Sequence, residues 1–414
     1  MNILYLAHRI PYPPDKGDKL RAFHQLAHLA QAHRVWCACF VDDPADRAHV
    51  ETLRRYCVDV VAPPLHRLPA LWRAGLALLS GATFTEGYYA CPRFDAALDA
   101  WRRSIEFDTV LAFSSAMAPW ALRMPAGRRV LDLCDLDSRK WLAYARTARG
   151  PGSILYGVEG TRLAQREAEW CRAFDATILI TEEEATELRP SVPRERLHIV
   201  GNGVVLPDLS VFPVAERPVV GFVGVMDYHP NVDAVCWFAR AVWPAVRAAC
   251  PQAIFRIVGR RPKRAVRHLA RLPGVEVTGA VPDAGRAVAP FQVSVAPLRI
   301  ARGLQNKVLE AMAAAKPVVL TTPAATGIPA AAGQEFIIAD TADTMAAAVI
   351  RLLQDADLRG RVGQAARAHV ARHQRWDLEL ARFAGVVEGQ ANPSPPPCDI
   401  GTAHAPTQCV SAVQ

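Results

Sequence analysis

APLRIARGLQNKVLEAMAAAKPVVLTT, residues 296–322, changes its character three times in quick succession. Residues 293–298 form a short apolar run of strand type, 308–315 have helical composition, and 317–321 form a second apolar run. The polar loop 299–307 is therefore expected to open at the carboxyl edge of a parallel sheet. Such an edge suits an anionic ligand, because free backbone N–H groups and the positive end of the following helix point at it. Arg299, Arg302 and Lys307 add full charges. Glu310, one turn further on, breaks the pattern. A carboxylate beside cations that hold phosphate can accept hydrogen bonds from two neighbouring hydroxyls, as on a ribose. The same residues also have an ordinary reading, in which Glu310 complements the helix dipole and pairs with Lys307 at i,i+3.

The rest of the chain alternates in the same way. The first half predicts strands over 3–8, 35–40 and 58–62 with helices over 18–31 and 45–56 between them, then strands over 109–113, 129–133, 176–180 and 198–200. An Asn202-Gly203 turn follows, and Pro207, Pro213 and Pro218 mark a linker over 207–218. The pattern restarts with strands over 219–225, 253–258 and 275–278 and helices over 232–248 and 263–271. This predicts an α/β protein with two doubly wound, Rossmann-like domains, 1–206 and 219–388, facing each other across a cleft. Residues 351–387 read as helical with a break near 373–376, and the final helices are expected to be able to pack back on the first domain. The Pro-rich segment 389–414 is expected to be disordered.

Bulk properties narrow the class. A chain of 414 residues, 51% hydrophobic with mean hydropathy +0.07, supports two cores, and no apolar run reaches the length of about 18 residues needed to span a bilayer. The start, MNILYLAHRIP, lacks a basic lead and a long apolar segment, so a cytoplasmic protein is expected. Ten cysteines without a CxxC pair argue against a zinc site or a disulfide framework. Of the net charge of +8, most falls in the second half, where Arg256, Arg260, Arg261, Lys263, Arg264, Arg267 and Arg271 cluster without interleaved aromatics. Nucleic acid is not the expected partner.

Further segments bear on function. In the first half, Gly17 lies in a loop with Asp15, Lys16, Asp18, Lys19 and Arg21 around it, and Asp132, Asp135 and Asp137 follow a strand. Contact with a ligand in the cleft and ordinary capping are both open for each of these side chains. Asp135-Leu136-Asp137 also fits the short DxD pattern of metal-dependent transferases, a pattern common by chance. His8 and His24 are read as structural. Residues 67–84, RLPALWRAGLALLSGATF, read as an apolar helix, foremost a buried one; the alternative is a helix lying on a membrane surface or against a lipid-linked acceptor. Gly221 and Gly224 flank a strand end where a diphosphate can approach the backbone; the ordinary reading is glycine at a strand–loop turn.

Six stretches carry a family resemblance: HRIPYPPDKGDKLRAFH (8–24), LDLCDLDSRKWLAYA (131–145), ITEEEATELR (180–189), NGV (202–204), GFVGVMDYHPNVDAVCWFARAVWP (221–244) and the opening stretch through LEAMAAAKPVV. Over about residues 1–387 the chain resembles GT-B fold glycosyltransferases of the large retaining group 4. More narrowly, it is similar to the sugar transferases associated with bacterial exopolysaccharide and PEP-CTERM/exosortase gene clusters.

The resemblance implies transfer of a sugar from a nucleotide sugar to a hydroxyl acceptor, with retention at the anomeric carbon and with no metal or other cofactor. The donor would sit on the second domain, at Gly224, Arg302, Gly303, Leu304 and Asn306, with Arg299, Lys307 and Glu310 as the catalytic group. The acceptor, a glycan or lipid-linked sugar, would lie on the first domain near Gly17, Asp18, Arg21, Asp135 and Asp137, with peripheral contact to the inner membrane. Glu310 matches the second glutamate of the group's Glu-x7-Glu motif, and Arg302 stands where the first is expected. Either backbone groups around Gly303 and Leu304 take over its role, or the arginine recognises an acidic sugar. Two further readings remain open: a nucleotide-sugar epimerase, and a non-catalytic nucleotide-sugar-binding subunit.

Overall fold

The computed structural model describes residues 1–14, 17–148, 150–212, 216–281, 284–301 and 303–390. The first sheet has seven parallel strands: β1 (Asn2–Ala7), β2 (Arg34–Cys39), β3 (Asp59–Val61), β4 (Phe107–Phe113), β5 (Ala126–Cys134), β6 (Ala176–Leu179) and β7 (Leu197–Ile199), in spatial order 3-2-1-4-5-6-7. The second has six: β8 (Val219–Val223), β9 (Ile254–Val258), β10 (Val275–Gly279), β11 (Val293–Ala296), β12 (Val318–Leu320) and β13 (Ile337–Ile338), in order 10-9-8-11-12-13. In each sheet the order reverses beside the strand that opens the domain. A crevice forms at that reversal, outside the carboxyl ends of the strands.

The first sheet shows the two-residue period of strands buried on both faces. Leu4, Leu6, Trp36, Ala38, Val110 and Leu131 join one core, and Ile3, Tyr5, Val35, Cys37, Leu111 and Val130 join the other. The second domain has one continuous core around Phe222, Phe238, Phe255, Val295 and Leu309.

The helices that position the cleft are α1 (Gly17–Leu29), α2 (Arg67–Leu79), α3 (Phe84–Tyr89), α4 (Asp137–Thr147), α5 (Pro151–Ala173), α6 (His229–Trp237), α7 (Asn306–Ala313), α8 (Ala356–His373) and α9 (Trp376–Glu388). The helix expected over 45–56 is a 3-10 turn, Pro44–His49, followed by a single α-turn, Val50–Leu53, because Pro44 starts a tight turn capped by Asp43. The helix expected over 232–248 is interrupted by a π-turn, Phe238–Val242, just before Trp243-Pro244. Pro244 has no N–H to continue the ladder.

The chain crosses between domains twice, side by side. The Val204 N–H donates to the Gln374 carbonyl at 2.8 Å, and a Cβ on Gly203 would lie 2.4 Å from the Trp376 backbone. Beyond Val204 the chain packs on the second domain: Phe212 lies under Lys316 Nζ at 5.4 Å, and Arg367 donates to the Pro207 carbonyl at 3.0 Å. Helix α8 also belongs to the second core, through Ala366 and Val370. Helix α9 returns to the first domain, where Leu380, Phe383 and Val387 join the core beneath β1 and β4. Gly389 ends it in a left-handed cap at φ 77°, and residues 391–414, most of the expected disordered tail, lie outside the described residues. No helix among the described residues is long and apolar enough to cross a membrane.

Candidate functional site

Two helix N-termini meet across the cleft. Gly17 opens α1 of the first domain and Asn306 opens α7 of the second, and a Cβ on Gly17 would sit 3.4 Å from Asn306 Nδ2. Asn202 of the NGV turn donates Nδ2 to Asn306 Oδ1 at 2.9 Å, which fixes the approach. Each helix end carries partial positive charge and unpaired N–H groups, so their convergence builds an anion site from both domains.

Lys307 places a full charge beside it. Its Nζ donates to Asn231 Oδ1 at 2.5 Å and lies 4.8 Å over the Phe222 ring. Withdrawal from water pushes this ammonium down to about 8, and the Glu310 carboxylate one turn along α7 opposes the shift. Asn231 in turn donates to the Val225 carbonyl at 2.9 Å, and a Cβ on Gly224 would come within 2.7 Å of the Asn231 amide. Glycine at 224 thus leaves room for the Asn231 amide against the β8 end, next to the Asn231–Lys307 pair.

Loop 303–305 seals the cleft against the first domain. Gly303 has φ 60°, and a Cβ there would lie 2.2 Å from Asp135 Oδ1, so the loop of the second domain rests directly on a carboxylate of the first. Asp135 is pushed up to about 6 by partial withdrawal from bulk water at the foot of the cleft and then by Asp137 beside it. Asp137 is held below the usual carboxylate range despite its own burial, because Lys140 at 2.5 Å and Ser115 at 3.1 Å stabilise the charged form. Leu304 packs on the second core and approaches Gly327. Arg302 lies outside the described residues, as do Asp15 and Lys16.

Behind Asp135, at the carboxyl ends of β1, β4 and β5, a cavity of about 420 Å³ opens into the first domain. Its walls are aromatic, with Phe84, Tyr88 and Tyr89 from α3, Phe113 from β4 and Trp141 from α4. Arg9, Asp18, Asp135, Asp137 and Lys140 supply its charges. Asp18 accepts from Arg9 at 2.9 Å and lies 3.4 Å from His8 Nε2; these partners hold it well below the usual carboxylate range against the effect of burial. His8 lines the cavity, stacked on Phe113 with centroids 6.0 Å apart, and its buried Nδ1 has no partner among the described residues. Such apolar walls with a few polar groups suit a sugar or a sugar-bearing headgroup.

The sequence expectation for Arg21 needs correction, and three other charged candidates are engaged within their own domains. Arg21 does not face the cleft: it is buried, donates Nε to Oδ2 of the fully buried Asp132 at 3.0 Å with Nη2 2.9 Å from the same oxygen, and donates Nη1 to the Gly201 carbonyl at 2.7 Å and Asn202 Oδ1 at 3.0 Å. It positions Asn202 and touches no ligand surface. Asp132 leaves the expected carboxylate trio for the same reason. Lys19 also turns inward, to Asp46 at 2.5 Å. Arg299 is paired with Asp233 on α6, with Nε to Oδ2 at 2.9 Å and Nη2 bonded to the other oxygen. Its charge is already neutralised within the second domain. His24 is stacked on Trp376 at 4.2 Å, where the two chain crossings meet.

Asn202, Asn231, Asp233, Arg9 and the aromatic wall were not legible as site residues. Asn231 could have been suspected from its place just after Pro230 in the first turn of α6. The others depend on which strands neighbour which. Among the described residues no group of three or more His, Cys, Asp or Glu side chains is gathered as a metal site would require.

Two parallel-sheet, Rossmann-like domains with a cleft between their carboxyl edges define the GT-B architecture of glycosyltransferases. Residues 217–355, most of the second domain, match the family described as Glycosyl transferases group 1. Among solved structures the chain is similar to sucrose-phosphate synthase from Thermosynechococcus elongatus, with 16% identity and a TM-score of 0.69 over 94% of this chain and 99% of that one. It is also similar to Anabaena Alr3699/HepE in complex with UDP, with 15% identity and a TM-score of 0.64 over 94% and 100% of the two chains. WaaG, a glycosyltransferase involved in lipopolysaccharide biosynthesis, gives 15% identity and a TM-score of 0.64 over the same shares. No curated protein gives a sequence match to the chain.

Proposed function

We propose that the protein is a glycosyltransferase that moves a sugar from a nucleoside-diphosphate sugar to a hydroxyl of a glycan or lipid-linked acceptor, in bacterial exopolysaccharide or cell-surface glycan synthesis. The observation that carries this is the meeting of the Gly17 and Asn306 helix ends beside Lys307, an anion site split between two domains. The family match over the second domain and the UDP held by one similar structure agree with it. UDP is accordingly the first base to try.

In this reading the diphosphate lies between the two helix ends, with Lys307 as its full positive charge. Preorganised dipoles and cations there stabilise the charge that develops on the leaving group. Glu310 holds the ribose hydroxyls. The acceptor occupies the aromatic cavity and presents its hydroxyl past Asp135 to the anomeric carbon at the Gly303 seam. The leaving phosphate helps to remove the acceptor proton, the sugar keeps its anomeric configuration, and no metal takes part.

The test is product analysis. Incubation with UDP-, GDP-, ADP- and TDP-sugars and a glycan acceptor in EDTA is expected to release one nucleoside diphosphate and give a glycoside of the donor's configuration by NMR. Isomerised donor would instead support an epimerase, and donor recovered unchanged a binding subunit.

The pH profile is a second check. Donor binding needs Lys307 charged, and acceptor binding needs Asp135 ionised. kcat/KM is therefore expected to rise as pH increases through about 6 and to fall above about 8. Asp135→Asn is expected to remove the acid limb and leave the alkaline one.

A further inference from the structure

Helix α2 is packed inside out. Its small residues Ala70 and Ala74 are fully buried, and Ala77 meets α3 so closely that a Cβ on Gly87 would come within 2.5 Å of its own. Its large apolar residues Leu68, Leu71, Trp72, Leu76 and Leu79 lie on one stripe that faces outward, with Leu68, Trp72 and Leu79 exposed to 79%, 72% and 86%. The sequence expectation of a buried helix over 67–84 is therefore corrected.

A second exposed apolar stripe lies on α5, at Ile154, Leu155 and Val158. Arg162, one turn after Val158 on the same face, donates to the carbonyls of Leu78 at 2.7 Å and Ala82 at 2.9 Å, joining the two stripes at the end of α2. Apolar patches of this kind on a water-soluble surface mark an interaction site.

Charge and position select the occupant. Residues 60–85 and 138–158 contain no Asp or Glu, while the exposed Arg67 and half-buried Arg73 lie in the first and the exposed Arg146 in the second. A surface with exposed tryptophan and leucine beside cations is complementary to anionic lipid headgroups over an acyl interior. A chain of rings also runs from the cavity toward this face: Phe84 to Trp141 at 6.0 Å, Trp141 to Tyr156 at 5.6 Å and Tyr156 to Tyr144 at 5.9 Å. The helices α3 and α4 wall the cavity on one side, and their partners α2 and α5 carry the apolar face on the other.

We propose that the α2–α5 face docks on an anionic lipid bilayer, so that a lipid-linked acceptor enters the aromatic cavity from the membrane. The acceptor clause rests on the glycosyltransferase reading; the docking clause does not.

The test is flotation of the full chain with vesicles of phosphatidylcholine, with and without phosphatidylglycerol. The wild type is expected to float with the phosphatidylglycerol vesicles and to be released by high salt and by their omission. Trp72→Ser/Leu76→Ser is expected to bind at least about tenfold more weakly, the scale of withdrawing one large side chain from an apolar phase. Thermal stabilisation by the nucleotide sugar, measured on the same variant, is expected to stay unchanged, which separates loss of docking from loss of the fold.

A wild type that stays in the buffer, or a variant that floats equally well, would overturn the proposal. So would a wild-type dimer in gel filtration that the substitutions dissociate, since the face would then belong to a second copy. Flotation without any nucleotide-sugar turnover would leave the docking standing and remove the transferase reading.

Discussion

Lys307→Ala is expected to lower kcat/KM for the nucleotide sugar about 10²–10³-fold, the scale of losing one preorganised group at a charge-developing oxygen. Lys307 places a full positive charge beside the two helix ends, and its bond to Asn231 and its seat over Phe222 hold it there before any ligand arrives. Lys307→Arg is expected to recover little, because a forked guanidinium does not fit the space between Asn231 and the Phe222 ring. Arg299→Ala is the contrast. Its guanidinium is already engaged by Asp233, so the loss is expected to be below about fivefold, the scale of an exposed ion pair. Steady-state kinetics on the three variants check this; equal losses for Lys307→Ala and Arg299→Ala would return Arg299 to the site.

Arg21→Met is expected to cost about 3–5 kcal/mol of stability, because it leaves the Asp132 carboxylate buried with no counter-charge. The cost should appear in the denaturant transition of the first domain, since two domains need not unfold together. Arg256→Met, which removes an exposed pair with Glu276, is expected to cost less than about 1 kcal/mol. Arg21→Met/Asp132→Leu is expected to be less destabilised than the sum of its single changes, because the buried charge goes with its partner. The Arg21 change also reaches the cleft, since it loosens Asn202 and through it the contact with Asn306. A weaker donor affinity is expected alongside the lost stability.

These two arginines show what could be read from the chain and what could not. The strand runs around 293–298 and 317–321 placed the 299–307 loop at a carboxyl edge, and both sheets have the doubly wound order that the alternation implied. The spacing of Lys307 and Glu310 within one helix was equally visible, since helix geometry turns sequence distance into spatial distance. Whether Arg21 points to the cleft or to the core was not. It depends on Asp132 and Asn202, more than a hundred residues away, and both charges and polar groups look alike in a sequence whether paired inside or solvated outside. The pairing of Arg299 was hidden for the same reason, because Asp233 reaches it from α6.

Helix α2 failed differently. An apolar helix is ordinarily buried by its large residues, and only the close approach of Ala77 to Gly87 reveals that here the small face packs and the large face remains outside. The cavity needed three strands and two helix hairpins to converge, and no local spacing announces that.

The central claim is that the second domain holds a nucleotide sugar between Lys307, Glu310 and the two helix ends. It is tested most directly by titration calorimetry of the purified protein with UDP-, GDP-, ADP- and TDP-sugars in EDTA, repeated with Glu310→Ala. Binding of one donor that persists in EDTA and weakens at least about tenfold in the variant, the scale of a lost hydrogen bond to a charged group, is the predicted result. Binding that disappears in EDTA, or that Glu310→Ala leaves unchanged, would contradict it.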